Sequence, residues 1–203
     1  MTPPEIDIAD WRRAVFALYA DVRATKDSAV AQAIWRAGRE ALFRRHPQSP
    51  LLDEPHRDTW TFHTYPYDIA LRHLVGLQEP VTEHSLDVPV GEEGVLQLRP
   101  FARTLGLADT LGSELTLYWI DGYGGGLFLP FADTTNGGET YGGGRYLLDT
   151  IKGADLGRVD DKLVVDFNFA YQPSCSYSPR WTCPLPSPEN TLAVPIRAGE
   201  RLA

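Results

Sequence analysis

The residues best placed to do chemistry lie near the end of the chain, in Val164–Glu189, which reads VVDFNFAYQPSCSYSPRWTCPLPSPE. It carries Asp166 and Asn168 two apart, both cysteines (Cys175 and Cys183), Glu189 beside Asn190, and the aromatics Tyr171, Tyr177 and Trp181. Asp166 and Glu189 could move protons. A thiol at Cys175 could act as a nucleophile if a base stands beside it. Upstream, the turn Glu139-Thr-Tyr-Gly-Gly-Gly-Arg145 could lay backbone N–H groups against a ligand. Tyr141 would then flank the ligand and Arg145 grip its anionic group.

Three readings of the cysteines are open. Seven residues separate them, and all five histidines lie far upstream, so four zinc ligands at the usual spacing are missing. A disulfide closing this small loop is the second reading, worth about 2–3 kcal/mol. Two thiols, one buried and one on the loop, are the third. There is no G-x-S-x-G elbow, no phosphate loop and no dinucleotide fingerprint, so the sequence names no cofactor. A flavin-binding barrel has only architecture behind it.

The elements that must position these groups follow from periodicity. Leu163–Phe169 alternates as a strand, with Leu163, Val165, Phe167 and Phe169 on an apolar face and Val164, Asp166 and Asn168 on the other. That second face meets either water or a partly closed pocket. If the strand entered by Arg145 neighbours this one, an Arg145–Asp166 pair forms across the sheet. The proline-dense run after Tyr171 must be a stiff, irregular loop.

The segments FADTTNGGETYGGGRYLLDT and VVDFNFAYQPSCSYSPRWTCPLPSPENTLAVPIRAGER resemble the DUF1684 family of bacterial and archaeal proteins of unknown function. The carriers are Glu139, Thr140, Tyr141, Gly142, Gly144, Arg145, Asp166, Asn168, Tyr171, Cys175, Cys183, Pro184, Glu189 and Asn190. The resemblance is specific over residues 129–203. Upstream it is confined to Lys26-Asp27 and Ser49-Pro50-Leu51. It implies no reaction.

The rest of the chain reads as scaffold. Asp7 to about Arg23 and Asp27 to Arg45 have helical spacing, with Asp7 or Asp10 capping the first and Asp27 or Ser28 the second. Val30, Ile34, Ala37 and Ala41 make the second helix's stripe, and Trp11 and Trp35 are natural packing anchors. Strands are predicted over 60–67, 69–77, 81–90, 94–103, 113–120, 126–131, 145–148, 163–169 and 192–196, with a hairpin turn at Asp121–Gly126. The fold class is therefore mainly β (α+β): an antiparallel β-barrel or sandwich preceded by two N-terminal helices. Residues 1–50 form a helical pair and 51–203 a β-rich domain.

A hydrophobic share of 43% is enough for a core, and a net charge of −8 speaks against nucleic acid or an anionic membrane as partner. The first residues lack a signal peptide's basic and apolar regions, so the expected address is the cytoplasm. The functional expectation is a pocket for a small anionic metabolite, in an enzyme of undefined reaction or a binding module. Arg145, Asp166, Asn168, Glu189, Asn190 and the aromatics would wall it. The alternative is a structural or interaction protein, in which the same motif clasps the fold and the helices mediate homodimerisation or partner binding.

Overall fold

The computed structural model describes residues 3–52, 54–80, 84–91 and 94–203. Helix α1 (Pro4–Ala24) begins a turn before Asp7, with proline in its first turn, where a missing N–H does no harm. No side chain caps it; Glu5 and Asp7 sit instead at the positive end of its dipole. Helix α2 (Ser28–Arg45) is capped as expected, Asp27 accepting from the N–H groups of Ala29 and Val30 at 2.9 and 3.0 Å. Its buried stripe is not the expected one. Ala31, Gln32, Phe43 and the expected anchor Trp35 face inward; of the expected stripe Ile34 packs against this core, while Val30, Ala37 and Ala41 are exposed. Two large rings bury far more apolar area than a valine and two alanines, and they set the rotation of the helix.

Among the described residues eight antiparallel strands follow: β1 (Arg72–Gln78), β2 (Leu86–Pro89), β3 (Val95–Leu105), β4 (Thr116–Ile120), β5 (Gly126–Phe131), β6 (Arg145–Asp149), β7 (Arg158–Val159) and β8 (Lys162–Asp166). They form one sheet in the order β6-β5-β4-β3-β1-β8-β7, with β2 beside β3. The four-residue helix α3 (Ala108–Leu111) lies between β3 and β4. The β4–β5 hairpin closes at Ile120 and Gly126 as predicted. Irregularities at Pro100/Ala102 and Leu129/Pro130 bend the strands that carry them. The sheet curls into a half-barrel, so one curled sheet stands where barrel and sandwich were the alternatives.

Two predicted strands are coil. Residues 60–67 and 192–196 each contain a proline; the first has one isolated bridge, Thr64 with Glu200, and just before the second Thr191 bridges to Ala132. The predicted strand over 81–90 is observed as Leu86–Pro89; residues 81–83 lie outside the described residues.

Both faces of the sheet are covered. Leu117, Leu129, Phe131, Leu147, Val165 and Phe167 pack with Leu192, Ile196 and Ala198 of the C-terminal coil. Tyr118, Phe128, Tyr146 and Phe169 pack against Leu18, Tyr19, Val22 and Trp35 of the two helices. The curl brings the chain beyond β8 round to the free edge of β6, where Tyr146 and Tyr171 exchange backbone hydrogen bonds at 2.9 and 3.1 Å. Among the described residues no helix is long and apolar enough to cross a membrane.

Candidate functional site

The expected site residues fall into separate clusters. Strand β8 stops at Asp166 because its side chain takes the N–H of Asn168 (3.0 Å) and turns Phe167–Phe169 into one turn of 3-10 helix. The period-two alternation therefore ends there, and Phe167, Asn168 and Phe169 are all buried. Asp166 also receives the Asn168 amide (2.8 Å) and the Tyr67 hydroxyl (3.2 Å), and stands 3.7 Å from Arg72. Burial outweighs these donors and raises its pKa above the usual carboxylate value. With Val164 and Arg72 it lines a cleft of about 230 Å3 beneath the α1–α2 turn, beside Lys26 and Ser28. The polar side of the strand thus reaches a cavity at Val164 and Asp166. Asn168 instead ties down the backbone of Asp68, accepting its N–H and donating to its carbonyl, each at 2.8 Å.

Arg145 does not meet Asp166. β6 and β8 are not neighbours in the sheet, and the guanidinium pairs with Asp133 at 2.8 Å, both side chains fully buried. It also donates to the carbonyls of Ile196, Ala198 and Glu200. Asp133 in turn accepts from the N–H groups of Thr135 and Ile196. Arg145 is thus the anchor of the C-terminal coil, and its buried Nε is left without a hydrogen-bond partner among the described residues.

Asn190 does comparable work. Pro130 has no N–H, so the β4–β5 ladder cannot continue past Tyr118–Phe128. The Asn190 amide fills the gap, donating to Thr116 O and Pro130 O and accepting from Thr116 N at 2.8–2.9 Å. Neighbouring Glu189 accepts from the Tyr118 hydroxyl at 2.7 Å. Tyr177 donates to buried Glu200, which also takes Arg39 Nε at 2.8 Å and the backbone N–H of Gln172. Tyr171 lies under the Arg39 guanidinium at 4.9 Å, and burial holds its hydroxyl far above the usual pKa.

The cysteines form the remaining cluster. Both are half-buried thiols. The backbone N–H of Cys175 points at Cys183 Sγ (3.3 Å), and the Tyr141 hydroxyl donates to Cys175 Sγ at 3.7 Å. The hydrogen bond from Cys183, helped by Tyr141, brings Cys175 down to about 6, while Cys183 is pushed up. Cys183 lines a cleft of about 580 Å3 between α1 and the Cys/Pro loop, together with Trp11, Trp181, Arg12, Lys152 and Arg180. Among the described residues its lining carries three cations and no carboxylate. Lys152 is anchored by Asp149 (3.2 Å), and Arg180 lies 6.0 Å from the Trp181 ring. Among the described residues no group of three or more His, Cys, Asp or Glu side chains could hold a metal ion.

The structure thus keeps Cys175 and Tyr141 together, with Trp181 nearby on the cleft, and disperses Arg145, Asp166, Glu189 and Asn190. Sequence reasoning missed Asp133 and Glu200, the partners of Arg145, Arg39 and Tyr177, although both lie inside the segments quoted for the family resemblance. It also missed Arg12, Lys152 and Arg180, scattered cations with no motif to single them out.

A family profile described as "Protein of unknown function (DUF1684)" matches residues 61–201. The chain belongs to this family, and the match reaches well upstream of the segment that carried the resemblance. The solution NMR structure of an uncharacterised protein from Haloarcula marismortui is 30% identical, with a TM-score of 0.56, over 82% of this chain and 90% of that one. No curated protein matches the chain.

Proposed function

We propose that the protein binds a small anionic molecule in the cleft between α1 and the Cys/Pro loop. The observation that carries this reading is the lining itself. Arg12, Lys152 and Arg180 all line it and its described lining has no carboxylate, although Lys152 is paired with Asp149 outside the lining, on a chain whose net charge is −8. Its volume of about 580 Å3 lies within the usual range for small-molecule sites. Trp11 and Trp181 supply flat apolar walls, so the ligand class is a carboxylate or phosphate with a planar or apolar body.

The test is a thermal-shift screen of carboxylate and phosphate metabolites, repeated on Lys152→Met and Arg180→Met. A ligand at a hundred times its Kd stabilises by about 2.7 kcal/mol. The expected result is a rise in Tm for the wild type that shrinks in both variants. Anions that leave the wild-type Tm unmoved, or act equally on all three proteins, overturn the reading.

A second reading has its own support. Arg145 and Asn190 direct their polar atoms largely at backbone groups of other segments, and the Glu200 carboxylate ties Arg39 and Tyr177 to the Gln172 N–H. On this reading the family motif is a clasp that seats the C-terminal coil, and whatever the protein binds is held elsewhere.

A further inference from the structure

Two half-buried sulfurs stand on one short loop. Cys175 lies in a single 3-10 turn (Ser174–Ser176), and Cys183 follows after seven residues. The loop is held at its far end, where the Tyr146 hydroxyl donates to the carbonyl of Pro184 at 2.6 Å. The backbone N–H of Cys175 donates to Cys183 Sγ at 3.3 Å, so the two cysteines meet on the loop. Cys175 Sγ accepts from the Tyr141 hydroxyl at 3.7 Å, and Cys183 and Tyr141 together bring its pKa down to about 6, which favours the thiolate there. Cys183 keeps its proton and opens onto the cleft beside Lys152.

We propose that Cys175 and Cys183 are a reversible dithiol–disulfide couple, with Cys175 the attacking thiol, Cys183 the resolving thiol, and an anionic low-molecular-weight disulfide as the oxidant.

The Cys175 thiolate attacks one sulfur of the small disulfide R–S–S–R. A Cys175–S–S–R bond forms, and the first R–S⁻ leaves. Cys183 then gives up its proton and attacks the Cys175 sulfur. The Cys175–Cys183 bond forms as the second R–S⁻ departs, and the proton ends on a departing thiolate. Two protein thiols are oxidised and one small disulfide is reduced to two thiols. The cations of the cleft favour an oxidant that carries carboxylates, but the couple needs only the two sulfurs and survives if the cleft binds no metabolite.

The experiment exposes the folded, reduced protein to oxidised glutathione, quenches with acid, alkylates with N-ethylmaleimide and reads the intact mass. The expected wild-type product is a monomer lighter by two hydrogens that takes no maleimide. Dithiothreitol should restore two maleimide sites. Cys183→Ser should stop at a one-to-one mixed disulfide with glutathione. Cys175→Ser should react more slowly by roughly a factor of ten at neutral pH, because the remaining thiol is largely protonated. Wild-type protein that still takes two maleimides after glutathione disulfide overturns the proposal, as does a disulfide that forms only between chains. A Cys175→Ser variant that reacts as fast as Cys183→Ser overturns the assignment of roles.

Discussion

Arg145 and Asp133 meet at 2.8 Å with neither side chain exposed to solvent. Asp133 leaves the end of β5 and Arg145 opens β6, so the pair closes the base of the Gly-rich excursion between the two strands. Through Arg145 it also holds three carbonyls of the C-terminal coil. Removing one member leaves the other as a buried, unpaired charge. Arg145→Met or Asp133→Leu is expected to destabilise by about 3–5 kcal/mol, as broken buried pairs do. Urea unfolding measures it, and a loss below about 1 kcal/mol in both variants would mean that the pair does not hold the coil.

Gly199 tests the same clasp from the backbone. It has φ +72°, and a Cβ there would strike the carbonyl of Ala170 and stand 2.8 Å from that of Phe167. Gly199→Ala therefore meets both an unfavourable left-handed backbone and a wall of main chain, and should cost more than about 2 kcal/mol. Gly112 has a similar φ of +80° with open space around the Cβ direction. Gly112→Asn should stay within about 1 kcal/mol of wild type, since asparagine tolerates that conformation. Equal Tm losses in the two variants would refute the steric argument.

The contrast between these residues and the helices shows what the sequence could display. Asp27 caps α2 through groups two and three residues away, and such local chemistry can be read directly. The Asp121–Gly126 turn is equally local. The partner of Arg145 depends on how the chain returns from the β5–β6 excursion, and the sequence offered Asp166 where the fold supplies Asp133. Asn190 completes a ladder left open by Pro130, sixty positions away. The strand expected over Leu163–Phe169 is present through Asp166 and ends there for a reason inside the segment: the Asp166 side chain competes with the ladder for the next available N–H. A cleft walled by α1, Lys152 and Trp181 joins segments that only the folded chain brings together.

Glu114 and Asp166 should pull the acid limb of stability in opposite directions. Burial alone would raise the Glu114 carboxyl. The Thr104 hydroxyl and the N–H groups of Ala108, Gly106 and Leu107 more than reverse this, and its pKa lies below the usual value. Its contribution is thus fully present above the unfolded value of about 4.3 and is lost as pH falls through the folded pKa. Glu114→Gln should cost about 1–3 kcal/mol at neutral pH, because buried N–H groups lose an anionic acceptor. It should also flatten the acid limb. Asp166 is raised by burial, so its ionisation opposes folding above the folded pKa. That cost is relieved as pH falls through the folded pKa toward about 3.9. Asp166→Asn keeps an acceptor for the Asn168 N–H and should change stability by less than about 1 kcal/mol at pH 7. Its acid limb should be steeper than that of the wild type. Urea midpoints between pH 3 and 7 separate the two, and parallel curves for all three proteins would remove both assignments.

Cys175 offers a sharper pH readout, because only a thiolate alkylates. With its pKa brought down to about 6 by Cys183 and Tyr141, the faster of the two thiols should gain rate through pH 6 and level off by neutrality. An ordinary thiol is still rising at pH 8. Tyr141→Phe removes one donor to Cys175 Sγ without disturbing the ring, and the midpoint should move up toward the ordinary cysteine value. Lys152→Met removes a nearby positive charge that also favours the thiolate, so it should move the midpoint the same way by a smaller amount. Stopped-flow alkylation with a neutral reagent gives all three profiles, with Cys175→Ser identifying which thiol is being followed. A single midpoint near 8.5 in the wild type, unmoved by Tyr141→Phe, would show that the two sulfurs ionise independently and that the donor pair does not act on Cys175.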